Sequence, residues 1–506
     1  MMEPRNGPAD VCLILEGSYP YVAGGVSSWM HDLIKSQPHL RFTIVALVAT
    51  TTPKELRYEL PPNVDEILRV PLAGPPRGGA TFNVRWLTRQ ITPLLVAIEQ
   101  DGGLPAFVGV VESLARSRRR LGSASLMNSP AAWEMITAMY EVAAPESSFL
   151  EYFWTWRALH GGLFATLLFP LPRARMYHTI STGYAGLVAA RAAVETGRPA
   201  VLTEHGIYTN ERRIEITMAE WLYDAAEDWL ALETPRWDLR QLWMHTFQSY
   251  ARICYEACTE ITTLYMGNQR MQLADGAAPE RLRIIPNGID VAMYSKIERS
   301  TEPRRPCVAL IGRVVPIKDI KTFIRAADAL RRTVPDVEAW VLGPDDEDAE
   351  YAEECRNLVS YLKLEDTVKF LGRVKISEYL GRIDVLALTS ISEAQPLVIL
   401  EAGAAGVPSV ATDVGACREM IEGPESEVPP LGHGGAVVGL SSPVATAEAL
   451  SRLLTDRSWW ERCSAAIRQR VDQSYNKAVI DRIYGDMYTR SIAAPDRTPA
   501  QFAKVG

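Results

Sequence analysis

From Cys307 onward the chain repeats one unit: a short apolar run, a glycine-bearing turn, then an amphipathic stretch. The runs CVALIG, VEAWVLG, VKFLG, VLALTS, PSVAT and GAVVG have no polar face, so they read as strands covered on both sides. Between them, apolar residues recur at helical spacing, as at Ile320, Phe323, Ile324 and Ala327, and again across 351–362 and 397–405. Strands buried on both faces and joined by helices admit little besides a doubly wound α/β sheet.

The first part of the chain uses the same grammar less regularly. A strand at 11–15 leads to a glycine loop at Gly24 and Gly25 and a helix from Val26, followed by RFTIVALVA from Arg41 and AVLTEHG from Ala200. The long segment between is helical in composition. It reads as helical insertions, with Trp86, Trp133, Trp154 and Trp156 expected to pack in a core. A chain of 506 residues exceeds what one core supports. We therefore expect a domain at 1–298, a second at 299–476, and a final helix within 477–506 that packs back on the first. The boundary is drawn at the polar link SKIERSTEPRRP, after the Asn-Gly turn of RIIPNGID.

A formal net charge of −8 opposes general attraction to nucleic acid. The run Arg116, Arg118, Arg119 and Arg120 reads as a solvated helix face or loop. The seven cysteines are odd in number and scattered, and Cys254 and Cys258 lack a second pair at zinc-site spacing, which suits a reducing compartment. The first ten residues show no basic and apolar leader, and GGLFATLLFPLP from Gly161 is too short to span a bilayer. A cytoplasmic protein is expected.

Two clusters carry chemistry. In TSISEAQPLVILEAGAAG, Glu393 stands just past a strand, where open α/β sheets bind ligands. Pro396 suits the first turn of the next helix, whose N–H groups can hold a diphosphate, and Glu401 lies deeper in that helix, within reach of a ribose. In GRVVPIKD, Gly312, Arg313 and Lys318 occupy the turn where Rossmann-type domains meet phosphate, and two cations there offset a diphosphate leaving group. Asp345-Asp346-Glu347-Asp348 imitates a metal-binding acidic motif but reads as a solvated loop and helix start. His205 ends a first-domain strand, and the reading of His178 stays open between structure and function.

With E-x7-E, GRVVPIK, PNGID and the loop GGVSSW in place, the chain resembles family 4 of the retaining glycosyltransferases, which have the two-domain GT-B fold. EGSYPYVAGGVSSW, TEHGIYTNER and GPDDEDAEYAEEC further resemble a subgroup serving the bacterial Pel exopolysaccharide system. The resemblance implies a UDP-sugar donor, a polysaccharide acceptor, no metal or other cofactor, and inner-membrane synthase and export proteins as partners at the membrane periphery. It makes Glu393 the contact to donor-sugar hydroxyls and Glu401 the ribose ligand. Arg313 and Lys318 would hold the diphosphate, and Gly24 and Gly25 would let backbone approach phosphate and acceptor. Arg373 and Val374 fall in the stretch that meets the base, Pro396 and Leu397 beside the donor, and His205 near the sugar. The chain departs from the family at Asp319, where glycine is usual, and at Ala394-Gln395-Pro396-Leu397, which replaces Gly-Phe-Gly-Leu. A nucleotide-sugar epimerase of the same fold and a non-catalytic donor-binding subunit are the alternative readings.

Overall fold

The computed structural model describes residues 7–52, 55–79, 83–100, 102–218 and 239–502. The chain forms two compact units: Met1–Thr263, Asn268–Ile284 and Tyr484–Gly506 make the first, Leu264–Gly267 and Ile285–Ile483 the second.

The first unit is built on β1 (Ala9–Glu16), β2 (Phe42–Val48), β3 (Val64–Pro71), β4 (Ala174–Thr179), β5 (Ala200–Glu204), β6 (Glu260–Thr263) and β7 (Leu282–Ile284). They form one parallel sheet in the order β3-β2-β1-β4-β5-β6-β7, so the winding direction reverses between β1 and β4. β2 is buried along its whole length, and β1 is apolar and buried except at Asp10 and Glu16. β3 and β4 are hard to see in the sequence for different reasons. β3 is an edge strand with a half-exposed VDEILRVP pattern. β4 is central yet polar, and tolerates His178 because both ring nitrogens are bonded internally, Nδ1 to Tyr488 Oη at 2.8 Å and Nε2 to Thr203 Oγ1 at 2.9 Å. Burial holds the His178 pKa down at about 3, so this histidine is a neutral structural group.

The insertions are helical, including Val84–Glu99, Gly103–Ala115, Pro130–Ala143 and Phe149–Leu168. Ser129 caps the third of these by accepting from Ala132 N at 3.0 Å, with Pro130 opening the helix. The tryptophan expectation needs correcting. Trp156 is fully buried, but Trp86, Trp133 and Trp154 are 60%, 52% and 61% exposed. The basic run is not wholly solvated either, because Arg118 pairs with Glu195 at 2.6 Å. All seven cysteines are free and buried, and Cys254 and Cys258 have their sulfurs 3.8 Å apart.

Within this helical core, Glu99 is 2% exposed and neither carboxyl oxygen has a hydrogen-bond partner among the described residues. His160 Nε2 lies 3.7 Å away. Desolvation raises the Glu99 pKa to about 8 and lowers that of His160 to about 4, so the two meet as neutral groups near pH 7. Between 4.5 and about 8 the folded protein keeps a proton that the unfolded chain releases, so the contribution of Glu99 to stability falls as pH rises. Glu99→Gln should therefore gain stability on the parent as pH rises from 5.5 to 8, by about 3 kcal/mol. Denaturant titrations at the two pH values measure it, and a pH-independent difference would mean Glu99 is ionised in the folded state.

The second unit carries β8 (Cys307–Ile311), β9 (Glu338–Leu342), β10 (Val368–Gly372), β11 (Val385–Leu388), β12 (Ser409–Thr412) and β13 (Gly435–Val438). Its parallel sheet runs β10-β9-β8-β11-β12-β13 and reverses between β8 and β11. The PNGID turn and the polar segment after it belong to this unit. Ile289 N donates to Tyr475 O at 2.9 Å, and Arg299 and Arg304 both reach Asp384, at 2.5 and 2.7 Å. The helix Lys477–Ala493 begins in the second unit and ends in the first. Among the described residues no helix is long and apolar enough to cross a membrane.

Candidate active site

Where the winding of a parallel sheet reverses, the turns leaving the two central strands diverge and leave a crevice at their carboxyl ends. In the second unit those turns follow β8 and β11, and they hold the two sequence clusters. Lys318 Nζ donates to Glu393 Oε1, and Ser390 Oγ donates to the same oxygen at 2.7 Å. Thr389 Oγ1 donates to the carbonyls of Lys318 and Asp319, both at 3.0 Å, and Ile391 N donates to Ile317 O at 2.8 Å. The cation and the acid are thus fixed by backbone as well as by their charges.

Asp319 explains its own departure from glycine. Its φ of 45° and ψ of 53° are left-handed, the conformation that glycine adopts freely and Asp tolerates. Its carboxyl caps the helix Ile320–Leu330 by accepting from Thr322 N at 3.2 Å.

On the other side, Gln395 is nearly buried and exchanges two bonds with Asn287: it accepts from N at 2.8 Å and donates to O at 3.2 Å. This residue, one of the departures from the family the sequence resembles, therefore clamps the PNGID turn. Gly415 supports the same loop. At φ 53° a β-carbon there would sit 2.1 Å from Glu393 O, so only glycine lets the turn after β12 approach so closely.

Glu401 lies in the helix Leu397–Ala404 and accepts from Tyr294 Oη at 3.0 Å. Burial raises its pKa, and the tyrosine bond offsets part of that rise. Pro396 stands at the N-cap position of this helix rather than in its first turn, where its missing N–H likewise leaves no bond unmade. Leu397 is partly exposed, Arg373 is exposed, and Val374 packs partly on the core.

Arg313 is not free. Its Nη1 contacts both Glu347 oxygens, at 2.5 and 2.6 Å. Two more acids of the run are likewise engaged: Asp345 with Arg356, and Asp348 as the N-cap accepting from Tyr351 N at 3.0 Å. Among the described residues no group of three or more His, Cys, Asp or Glu is placed to hold a metal ion.

The remaining expected residues lie in the first unit. Gly24 precedes the helix Gly25–Ser36, and a β-carbon on either glycine would meet nothing within 4 Å, so packing does not demand them. His205 packs edge-on against Trp29, with ring centroids 4.4 Å apart, and burial lowers its pKa to about 4. Its Nε2 has no hydrogen-bond partner among the described residues. Sequence reasoning missed Ser390, Thr389, Tyr294, Gly415 and the role of Gln395. The Thr-Ser pair closing an apolar strand was a usable signal for the first two, whereas nothing local marks Tyr294.

Two Rossmann-like parallel-sheet units are the GT-B architecture, and solved structures agree on the fold. The Anabaena protein Alr3699/HepE, solved in complex with UDP, aligns with a TM-score of 0.56 at 15% identity, over 95% of this chain and 100% of that one. Sucrose-phosphate synthase from Thermosynechococcus elongatus aligns with a TM-score of 0.55 at 17% identity, over 96% and 100%. The chain belongs to the family described as "Domain of unknown function (DUF3492)", which matches residues 9–280, and residues 305–456 match "Glycosyl transferases group 1". The second match is to a transferase family and is confined to the second unit. A D-inositol 3-phosphate glycosyltransferase from Stackebrandtia nassauensis is 28% identical over 242 residues, 44% of this chain and 53% of the relative. An exopolysaccharide phosphotransferase from Streptomyces coelicolor is 34% identical over 188 residues, 36% of this chain and 18% of the relative. The chain thus spans about half the length of the first of these curated relatives, and less of the second.

Proposed function

We propose that the protein is a retaining family 4 glycosyltransferase. It moves a hexose or N-acetylhexosamine from a UDP-sugar to a growing bacterial exopolysaccharide of the Pel type. The observation that carries the reading is the Lys318–Glu393–Ser390 cluster at the reversal of the second sheet, with Glu401 in the adjoining helix. The UDP in the HepE structures supports uracil as the base.

Breaking a sugar–phosphate bond builds negative charge on the diphosphate and positive charge on the sugar, so fixed cations dominate the barrier. Lys318 and Arg313 supply them. Each is held by a carboxylate in the structure described here, and a bound diphosphate replaces Glu347 at Arg313. Glu393 accepts donor-sugar hydroxyls, and Glu401 accepts from the ribose. The acceptor hydroxyl attacks from the leaving-group face and passes its proton to the departing phosphate oxygen, so no protein base and no metal take part. The protein acts in the cytoplasm beside inner-membrane synthase and export proteins.

Calorimetric titration with UDP, ADP and GDP tests the donor site. UDP-selective binding is expected, weakened about tenfold or more in Arg313→Ala and Glu401→Ala. Equal affinity for the three nucleotides, or for parent and variants, would reject the assignment. Sugar transfer that requires an acceptor separates this reading from epimerisation.

A further inference from the structure

The first sheet also reverses, between β1 and β4, and the crevice there contains a cavity of about 500 Å³. We propose that this cavity is a carbohydrate-binding pocket that takes a pyranose ring of an uncharged glycan. The class of ligand rests on the transferase reading, and the pocket itself rests on its own geometry.

Three βα junctions converge on it. Glu16 ends β1, Tyr184 opens the helix that follows β4, and Tyr208 opens the helix that follows β5. Glu16 accepts from Ala185 N at 3.1 Å and from Tyr208 Oη at 3.0 Å, although 169 and 192 positions separate the partners. A carboxyl buried there is costly, and burial raises its pKa. A carboxylate oxygen can accept more than one hydrogen bond, which lets a ligand hydroxyl join these donors.

The helix Leu239–Ala257 adds an aromatic wall. Trp243 stacks on Phe247 at 5.8 Å, and Phe247 meets Tyr184 and Tyr208 edge-on at 5.9 and 5.7 Å. Core aromatics normally interdigitate without a void of this size, whereas ligand pockets run from roughly 300 to 1,000 Å³. Apolar ring faces beside acceptors and donors suit a sugar, which has C–H faces and an equatorial belt of hydroxyls.

The charges decide against a phosphate. Arg157 and Arg212 line the cavity, but so do Glu16 and Glu215, and Glu215 binds Arg212 at 2.8 Å, so two cations face two acids and no net positive charge is left for an anion. Arg212 Nε has no partner among the described residues and is available to donate. A buried acid and a guanidinium equally disfavour a lipid tail.

Chitotriose and cellotriose, titrated calorimetrically into the full chain, are the probes. Binding of one or both is expected, weakened at least tenfold by Arg212→Ala and by Tyr208→Phe, with UDP affinity unchanged. Retained UDP affinity and an unshifted Tm report that the variants fold. Arg313→Ala should do the converse, weakening UDP and sparing the glycan. Failure of both trisaccharides to bind, or unchanged affinity in both pocket variants, would overturn the proposal. Loss of UDP binding with glycan binding kept would reject the donor site and still support the pocket.

Discussion

Lys318→Ala is expected to lower kcat by about 10²–10³-fold while changing KM for the donor little, because the ammonium acts most strongly on charge that appears at the transition state. The structure gives the loss a second component. Glu393 Oε1 would keep only the Ser390 hydroxyl, so the acid proposed to receive the sugar would lose the charge that fixes its rotamer. Lys318→Arg should recover only part of the rate, since a planar fork cannot reproduce a point charge in a turn held at Thr389 and Ile317. UDP release across a panel of UDP-sugars measures all three proteins. A kcat within threefold of the parent in Lys318→Ala would move the leaving-group role to Arg313 alone.

Arg470→Ala is expected to destabilise the second unit by about 3 kcal/mol or more, which for a unit of this size lowers its Tm by roughly 6–12 °C. The Arg470 side chain is fully buried in the helix Arg457–Ser474 and donates four hydrogen bonds. Nε and Nη2 hold the Glu427 carboxylate at 2.7 and 2.9 Å, Nη1 donates to Ile421 O at 2.8 Å and Nη2 to Gly432 O at 2.6 Å. The same pairing holds the Glu427 pKa down. Alanine would take the charged partner from Glu427, which would keep only Leu431 N at 2.9 Å, and the donor from Gly432 O, while Ile421 O keeps Gly434 N at 2.6 Å. The double variant Arg470→Met, Glu427→Leu should regain much of the loss, because removing both charges leaves less unpaired. Scanning calorimetry decides it. An Arg470→Ala transition within 2 °C of the parent would mean that water satisfies the stranded groups.

How far the sequence reached differs between the halves. The strands and helices of the second unit follow from apolar periodicity because each is buried on the side its own pattern announces, as in CVALI and in Ile320, Phe323, Ile324 and Ala327. In the first unit β4 hides behind His178, whose polarity is cancelled by Tyr488, 310 positions away. The four tryptophans look alike in the sequence, yet only Trp156 has a core around it. Glu393, Glu401, Arg313 and Lys318 stand out as residue types beside strand ends. Their partners do not. Lys318 and Glu393 are 75 positions apart and Tyr294 and Glu401 are 107 apart, and nothing local says which acid takes which donor. Gln395 was visible only as a departure from the family, and its bond to Asn287 turns that departure into a clamp.

The sequence by itself therefore determined the alternation of strand and helix, the α/β class, and the strand-end turns in which Arg313, Lys318 and Glu393 stand. Periodicity and turn composition are properties of neighbours along the chain. Tertiary structure alone decided which cations are already paired, why Asp319 can stand in a left-handed turn, and that Glu16 and an aromatic wall enclose a second cavity. Those outcomes depend on where the strand order reverses, which brings together residues that no local pattern connects.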